Sequence, residues 1–301
     1  MQDNARGMVL ASFMADSLCL GVHWIYDTDK IASEYGRVET FLKPKEDSYH
    51  STKDKGEFTH YGDQQLVLLE SVAAKNGFDL NDFSERWQGF FQDYNGYFDA
   101  ATKRTLRNFS KGSSPHNSGS PSDDLAGASR IAPLVFCYPN DLEELVETAK
   151  LQTRMTHRNP LTVRCAEFFA RVAWKSLRGT PPTTAVAEVS EETFPETIIA
   201  EWVEEGLESK SMDSVSAIAS FGQACHTPGV FPGVIHLIAK YENDLREALV
   251  QAVMAGGDNA ARGMAVGMIL GAYLGEEHLP EPWVTELKKG KEIQNLLSQI
   301  G

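Results

Sequence analysis

Three aspartates stand where a packed core would not be expected to place a charge. Asp16 is the only acid in the apolar stretch 8–25, and Asp63 and Asp258 each follow a glycine directly. A buried carboxylate without partners costs on the order of several kcal/mol, so each must be paired, hydrogen-bonded or turned toward a cleft. Carboxylates are also common acid–base groups and preferred ligands of Mg²⁺. These three residues are therefore the first candidates for chemistry.

Each of the three also has a structural interpretation. Asp16 could pair with a neighbouring arginine, and Asp63, which follows Gly62 at a predicted helix start, could be a cap. Asp258 could cap its own helix and pair with Arg262 four residues further on. The residue types and spacings alone leave the structural and functional interpretations open for all three.

The histidines and cysteines show no familiar metal or nucleophile pattern. No two histidines stand at the spacing of a zinc site, and His226 directly follows Cys225, which is the wrong spacing for a relay on one helix face. His157 lies in a loop between two predicted helices, and His23 could be a core histidine. The four cysteines are far apart and include no Cys-x-x-Cys pair, so we expect a reducing, cytoplasmic environment.

Most of the chain carries apolar residues at three- and four-residue steps, and sustained period-two alternation is absent. This pattern predicts an all-α protein, and no shift in composition marks a boundary within a single domain 1–301. The segment 110–122 is rich in serine, glycine and proline and predicts a loop. The segment 179–208 is rich in glutamate and predicts a solvated stretch with a short helix around 198–203. The main predicted helices are 66–74, 81–93, 142–155, 163–177, 245–254 and 263–274, with a central apolar helix over 8–25.

Glycines recur every four residues in the last of these helices. From Gly263, the residues Gly267, Gly271 and Gly275 follow in step, which leaves one helix face without side chains. Such spacing lets two backbones approach closely. We therefore predict that this face packs directly against another helix.

Charge and hydropathy exclude two classes of partner. The net charge is −14 and the pI is about 5.0, and no basic stripe offsets this acidity, so nucleic acid is not expected. No uncharged stretch reaches the roughly 18–20 residues of a membrane span. The apolar run 8–21 carries Asp16 in its middle and no small-residue cleavage site after it, which disfavours a signal peptide. We expect neither a nucleic-acid nor a membrane partner.

Several segments, in this order along the chain, resemble the ADP-ribosylglycohydrolase family, and within it the branch of the J-type lens crystallins and their selenoprotein relatives. The resemblance runs from about residue 7 to residue 275. It implies an all-helical globular bundle with a cleft at the helix ends. The segments that carry it are Ala15-Asp16-Ser17-Leu18, His23-Trp24-Ile25-Tyr26-Asp27, Gly62-Asp63-Gln64-Gln65, Ala126-Gly127-Ala128-Ser129-Arg130-Ile131-Ala132-Pro133, Thr156-His157 and Gly256-Gly257-Asp258-Asn259-Ala260-Ala261-Arg262-Gly263.

The resemblance also implies a metal, but the ligand set is incomplete. Active members carry Thr-Asp-Asp-Thr and Asp-x-Asp-Thr motifs whose carboxylates hold two Mg²⁺ ions. Asp63 and Asp258 match these motifs, whereas Gly62 and Ala260 stand where the family has acids. The resemblance therefore implies at most one weakly held Mg²⁺ on Asp63 and Asp258, and a paired-metal site is not expected.

The remaining roles follow from the same resemblance. The catalytic candidates are Asp63, Asp258 and Asp16, and we expect the acids and His157 to converge on one cleft. The ligand would resemble ADP-ribose or a nucleotide sugar, and the loop 110–122 would either hold its phosphates or be a flexible connection. The substrate-binding candidates are His157, Asn259, Arg262, His23, Ser122 and Asp123.

Three functions remain open at this point. The first is hydrolysis of an ADP-ribose or nucleotide-sugar glycosidic bond by a protein with a degenerate metal site. The second is a catalytically inactive, crystallin-like structural or ligand-binding protein. The third is an interaction module that uses the acidic segment 188–208, for which only charge argues.

Overall fold

A computed structural model describes residues 2–301, and every regular element in that range is a helix. The short 3₁₀ helices are Leu20–Val22, Ser209–Ser211 and Glu276–His278. The α-helices are α1 (Gln2–Cys19), α2 (Thr28–Tyr35), α3 (His60–Lys75), α4 (Leu80–Gln92), α5 (Ala100–Ser110), α6 (Ala126–Ser129), α7 (Ala132–Cys137), α8 (Leu142–Thr156), α9 (Pro160–Leu177), α10 (Pro182–Thr193), α11 (Ile198–Glu208), α12 (Ser214–Phe221), α13 (Thr227–Lys240), α14 (Leu245–Met254), α15 (Asn259–Leu274), α16 (Glu281–Glu286) and α17 (Gly290–Leu297).

The all-α prediction is confirmed. Residues 2–301 contain no strand, only two isolated bridges, and the six main predicted helices coincide with α3, α4, α8, α9, α14 and α15 to within a few residues. The segment 110–122 is a loop apart from its first residue, which ends α5. The helix predicted over 8–25 begins earlier, at Gln2, and ends at Cys19.

The segment 179–208 contains the predicted short helix, which extends over Ile198–Glu208, but the prediction that the rest is a solvated stretch is wrong. That segment forms two helices, α10 and α11, separated by a short turn. Val186 and Val189 on α10 and Trp202 on α11 are buried. Apolar residues recur between the glutamates at helical spacing, so the acids occupy the outer faces while the inner faces join the core.

Helices α1 and α15 pack along each other at the centre of the molecule. Gln2–Val22 is long and apolar enough to cross a membrane by length and composition, and 94% of its most apolar window is buried inside the fold. Asp16 on α1 and the residues at the start of α15 thereby come to the same end of this central pair. The packing of α1 against α15 thus brings Asp16 and Asp258 to one end of the molecule's central helix pair.

The glycine face of α15 provides the close approach, as predicted. A Cβ on Gly267 would lie 2.6 Å from the backbone oxygen of Ala11, and one on Gly271 would lie 2.9 Å from that of Gly7. At Gly263 the nearest neighbour, the sulfur of Cys19, would be 3.4 Å away, which is ordinary contact. The two backbones are therefore closest in the middle of the pair and further apart near the acidic end.

Candidate functional site

The loop between α5 and α6 is held in place at two points. Near its middle, Ser120 exchanges two backbone hydrogen bonds of 2.8 Å with the residues on either side of His157. At its end, the backbone of 123–125 pairs with that of 225–227 through bonds of 2.9 and 3.0 Å. These contacts place Asp124 between the segments that carry His157 and Cys225. The loop is therefore a fixed part of the site and not a loose connection.

A cleft of about 530 Å³ opens beside this loop. Its wall is aromatic: the rings of Trp24, Tyr49 and Tyr97 lie 5.0–5.2 Å apart, centroid to centroid, in edge-to-face pairs. Asp99 and Asp124 line its floor. A concave, mainly aromatic wall over a few convergent polar groups is typical of a small-molecule site.

Trp24, in the aromatic wall of the cleft, has a strained backbone conformation. Its φ of 64° is left-handed, which is rare for a bulky side chain and is found mainly where function requires it. The amide of Trp24 donates to the Gly257 carbonyl at 3.0 Å, and the Gly257 amide donates to the Ile25 carbonyl at 2.8 Å. Gly256 and Gly257 also have φ of 64°, so the double glycine before Asp258 provides the turn that holds the tryptophan.

Asp99 is anchored through one carboxylate oxygen only. Its Oδ1 accepts from the Thr102 amide at 2.6 Å and caps α5, whereas its Oδ2 has no hydrogen-bond partner among the described residues. The Nε2 atom of His60 approaches that oxygen to 3.4 Å. Burial opposes ionisation of Asp99, but the neighbouring His60 outweighs it and holds the pKa of this carboxyl below its usual range. Asp99 thus lines the cleft, while its second oxygen is buried beside His60 without a hydrogen bond.

Asp124 is anchored in the same way, but its charge is disfavoured. Its Oδ1 accepts from the Ala126 amide at 2.8 Å, at the start of α6. Burial raises the pKa of Asp124 well above its usual range, and the neighbouring carboxylates of Asp258 and Asp99 raise it further. The floor of the cleft therefore pairs an acid that retains its proton with one that loses it readily.

Asp258 lies behind this floor and is neither a cap nor an ion-pair partner. Its side chain makes no capping hydrogen bond to α15, and Arg262 donates to the carbonyls of Ala252 and Gly256 instead. Its Oδ2 lies 3.4 Å from the Tyr61 hydroxyl, and its Oδ1 has no hydrogen-bond partner within residues 2–301. Burial raises the pKa of Asp258 to about 7, although Arg262 opposes the shift.

Two groups of side chains meet around Asp124 closely enough to bind a metal ion. One consists of Asp99, Asp124 and His157, and the other of Asp124, Cys225 and Asp258. Within each group, one potential ligand atom from every residue lies within 4.8 Å of the others. Asp124 belongs to both groups, which makes it the central residue of the site.

The two buried histidines named from the sequence lie close to these acids. The Nδ1 atom of His23 is 2.9 Å from Asn259 Oδ1, and its Nε2 is 3.8 Å from Asp258 Oδ1. The Nδ1 atom of His157 is 2.9 Å from the Thr156 hydroxyl. Burial lowers the pKa of both histidines to about 3, so both are neutral at physiological pH.

Asp16 does not face the cleft. It is fully buried, and its two oxygens accept from the Thr59 amide at 2.7 Å and the Thr59 hydroxyl at 2.5 Å. Thr59 in turn caps α3 by accepting from the Tyr61 amide. Burial raises the pKa of Asp16 to about 7, against the effect of these hydrogen bonds. Asp16 thus fixes the start of α3 rather than meeting a ligand.

Asp63 does not join Asp258 either. Its carboxylate forms an ion pair of 2.5 Å with Lys53 and accepts from the Tyr94 hydroxyl at 2.6 Å. Asp63 belongs to neither potential metal-binding group found within residues 2–301. Lys53 already provides the cation that pairs with Asp63. This geometry therefore does not support one ion bound jointly by Asp63 and Asp258.

The other residues named from the sequence also divide into residues at the cleft and residues that hold the fold. Ser122 lines the cleft, and Asp123 lies at its rim, 2.8 Å from the ring of His226. Arg262 is fully buried and holds the end of α14. The sequence reasoning did not single out Asp99, the cap of α5, and it selected Asp123 where the adjacent Asp124 carries the site.

The chain matches a family model described as ADP-ribosylglycohydrolase over residues 1–301. It is 24% identical to crystallin J1A of Tripedalia cystophora, over 99% of this chain and 96% of that protein. It is 23% identical to ADP-ribosylhydrolase ARH3 of Mus musculus, over 98% and 90%. A solved chain of an ADP-ribosylglycohydrolase-related protein complex has a TM-score of 0.78 at 23% identity, covering 99% of this chain and 97% of that one, and so shares the fold.

Proposed function

The chain belongs to the ADP-ribosylglycohydrolase family, and we propose that it binds an ADP-ribose-like ligand in the aromatic cleft and hydrolyses its glycosidic bond there. The observation that carries this proposal is the pair Asp99 and Asp124 on the floor. Both side chains line the cleft, and each is held in place by one oxygen that accepts from a backbone amide. The acids that act would then be these two and not Asp63 or Asp16.

The shape and charge around the cleft suit such a ligand. Aromatic rings stack on nucleobases, which the wall of Trp24, Tyr49 and Tyr97 would do. Next to the cleft, an open concavity of about 440 Å³ is lined by the exposed side chains of Lys103, Arg104 and Arg107 on α5, with no acid in its lining. In a chain of net charge −14, a cationic patch beside the cleft supports binding of a diphosphate.

Many enzymes hydrolyse a glycosidic bond with two carboxyl groups that differ in their affinity for a proton. Asp124, whose pKa is raised, would donate a proton to the leaving group. Asp99, whose pKa is lowered, would accept a proton from the attacking water. Asp258 acts through Asp124, since its negative charge helps Asp124 to keep the proton. It is thus a positioning residue in this proposal.

The paired Mg²⁺ ions of the family fit this chain poorly, although the family is metal-dependent. A Cβ on Gly62 would lie 2.5 Å from Asp16 Oδ2, so an acid at this position would collide with another acid. Ala260 offers no ligand and is fully buried. The Tyr61 ring is also buried beside Asp258. We therefore assign no step to paired Mg²⁺ ions.

A ligand-binding protein without turnover is the second candidate. It is favoured by the loss of carboxylates at positions 62 and 260 and by the buried Tyr61 next to Asp258. The likeness to crystallin J1A, at 24% identity, points the same way. This candidate shares the cleft with the first and differs only in the absence of hydrolysis.

Binding and turnover, measured separately, distinguish the two candidates. Calorimetry with ADP-ribose tests the cleft, and release of ADP-ribose from serine- and arginine-linked substrates tests the reaction. Hydrolysis that is lost in both Asp124→Asn and Asp99→Asn, with binding of ADP-ribose retained in Asp124→Asn, supports the enzyme. Binding without release supports the second candidate, and absence of binding contradicts both.

A further inference from the structure

We propose that Asp99, Asp124 and His157 form a site for one divalent transition-metal ion of the zinc class. Their potential ligand atoms lie within 4.8 Å of one another, and all three side chains are at least nine-tenths buried. The two floor acids come from the start of α5 and the turn before α6, and the histidine follows α8. Three separate segments thus converge on one point.

Unpartnered atoms at this point argue for a ligand and not for chance proximity of acids. Asp99 Oδ2 and His157 Nε2 are buried and have no hydrogen-bond partner among residues 2–301. Leaving such groups unpaired destabilises a fold, so a bound ion would remove a penalty that the protein otherwise carries.

The other atom of each ligand is already held in place. Asp99 Oδ1 accepts from Thr102, Asp124 Oδ1 accepts from Ala126, and His157 Nδ1 lies 2.9 Å from the Thr156 hydroxyl. Outer contacts of this kind orient metal ligands and fix the histidine tautomer. The second atoms of Asp99 and His157, Oδ2 and Nε2, are thereby left without a hydrogen bond.

The donor set favours zinc over magnesium. An imidazole nitrogen with two carboxylates suits Zn²⁺, whereas Mg²⁺ prefers six oxygen ligands, many of them water. In a tetrahedral zinc site, ligand atoms are about 3.3–3.5 Å apart, so this group would have to close by about 1 Å. Asp99 and Asp124 also line the cleft, which leaves the fourth position open to it.

None of the three ligands stands at a position where the family motifs carry theirs, 62, 63, 258 and 260, although Asp124 adjoins Asp258. The guanidinium of Arg130 is close by, since Asp99 and Asp124 support its charge against the lowering of its pKa by burial. Two carboxylates against one guanidinium still leave one negative charge for a cation when Asp124 is ionised. Arg130 therefore weakens the attraction for an ion without abolishing it.

The inference rests on the acids of the proposed function but does not require hydrolysis. For Zn²⁺ to bind, Asp124 must release its proton to solvent, since the ion takes the oxygen that held it. The metal-bound form then has no proton to donate to a leaving group. Metal binding and hydrolysis by the carboxyl pair would thus exclude each other.

Calorimetry on the full chain, freed of metal by chelator, tests the site with Zn²⁺, Mn²⁺ and Mg²⁺ in turn. We expect one Zn²⁺ per chain, with proton release that varies with buffer, and at least tenfold weaker binding of Mg²⁺. Asp99→Asn and His157→Gln should each weaken Zn²⁺ at least tenfold. Cys225→Ser and Asp63→Asn are the matched controls and should retain the wild-type affinity.

Cobalt substitution identifies the ligands even if a variant folds poorly. Co²⁺ at this site should give visible ligand-field bands without a thiolate charge-transfer band, because Cys225 is not a ligand. A thiolate band that disappears in Cys225→Ser would place the ion in the other group and overturn the assignment. Absence of Zn²⁺ binding by the wild type, or binding unaffected by both Asp99→Asn and His157→Gln, would also overturn it. ADP-ribose binding to the metal-free protein tests the proposed function independently.

Discussion

Two regions of this molecule bury acidic side chains, and they treat them in opposite ways. At the start of α3, both oxygens of Asp16 are occupied by Thr59, and Asp63 is paired with Lys53 and Tyr94. At and behind the cleft floor, Asp99 Oδ2 and Asp258 Oδ1 have no hydrogen-bond partner among the described residues, although both side chains are buried. The first region uses buried charge to fix the chain. The second leaves it available, at a cost in stability, which is typical of functional sites.

Removal of an acid from the α3 start should have the largest effect on stability. Asp16→Ala leaves the Thr59 amide and hydroxyl unpartnered in the core, which should lower the free energy of unfolding by about 2–4 kcal/mol. Ser17→Ala is the matched control, since the neighbouring Ser17 hydroxyl is buried and has no hydrogen-bond partner within residues 2–301. Urea denaturation measures both. An Asp16→Ala variant as stable as Ser17→Ala would mean that Asp16 is not structural.

The glycine face of α15, at Gly263, Gly267 and Gly271, packs against α1, the helix that carries Asp16. Gly267→Leu places a side chain against the Ala11 backbone and should cost roughly 1–3 kcal/mol or more. Gly263→Ala has room for its methyl group and should be neutral, or stabilising by up to about 1 kcal/mol. Thermal unfolding of the pair tests this. Equal melting temperatures for the two variants would show that the glycine face can adjust along its whole length.

Asp63 separates stability from ligand binding. Asp63→Asn keeps an acceptor for Tyr94 but loses the charge that pairs with Lys53, which should cost about 1–2 kcal/mol. Its affinity for ADP-ribose should not change, because Asp63 lies outside the cleft lining. Chemical denaturation and calorimetry on the same preparation provide both values. A variant of unchanged stability but reduced affinity would reverse the comparison between the two regions.

Replacement of Asp258 should be visible as a change in the pH dependence of stability. Its pKa is raised from 3.8 to about 7 in the folded chain, so the folded state binds the proton more tightly than the unfolded state. The contribution of Asp258 is thus favourable below pH 4 and is lost as the pH rises to 7. Asp258→Asn does not titrate, so its stability relative to the wild type should rise from pH 4 to pH 7 and then stay constant. Melting temperatures across this range test the sign, and an opposite slope would contradict the raised pKa.

The fold could be predicted from the sequence because helical periodicity and close glycine spacing are local. Helix α10 and the burial of the segment 179–208 were not predicted, because its glutamates mask apolar residues whose burial depends on partners distant in sequence. The site was harder to predict. Asp16, Asp63 and Asp258 were singled out as unusual, but only tertiary contacts with Thr59 and Lys53 distinguish a satisfied acid from a free one.

Asp99 and Asp124 were missed for a related physical reason. Each precedes a helix and forms a capping hydrogen bond, so its local sequence is that of an ordinary helix start. Their second oxygens meet only because the loop 111–125 is held by backbone bonds to the segments around His157 and Cys225. The spacing of Asp99 and Asp124 along the chain does not indicate that they lie close together in the fold.

The affinity of ADP-ribose for the wild type, Asp99→Asn and Asp63→Asn, measured by calorimetry in one buffer, tests the account most directly. If function lies at the cleft floor and structure at the α3 start, Asp99→Asn should weaken binding at least tenfold, because a charged acceptor is lost at the ligand. Asp63→Asn should bind like the wild type. A weaker affinity for ADP-ribose in Asp63→Asn, together with an unchanged affinity in Asp99→Asn, would contradict this division between the two regions.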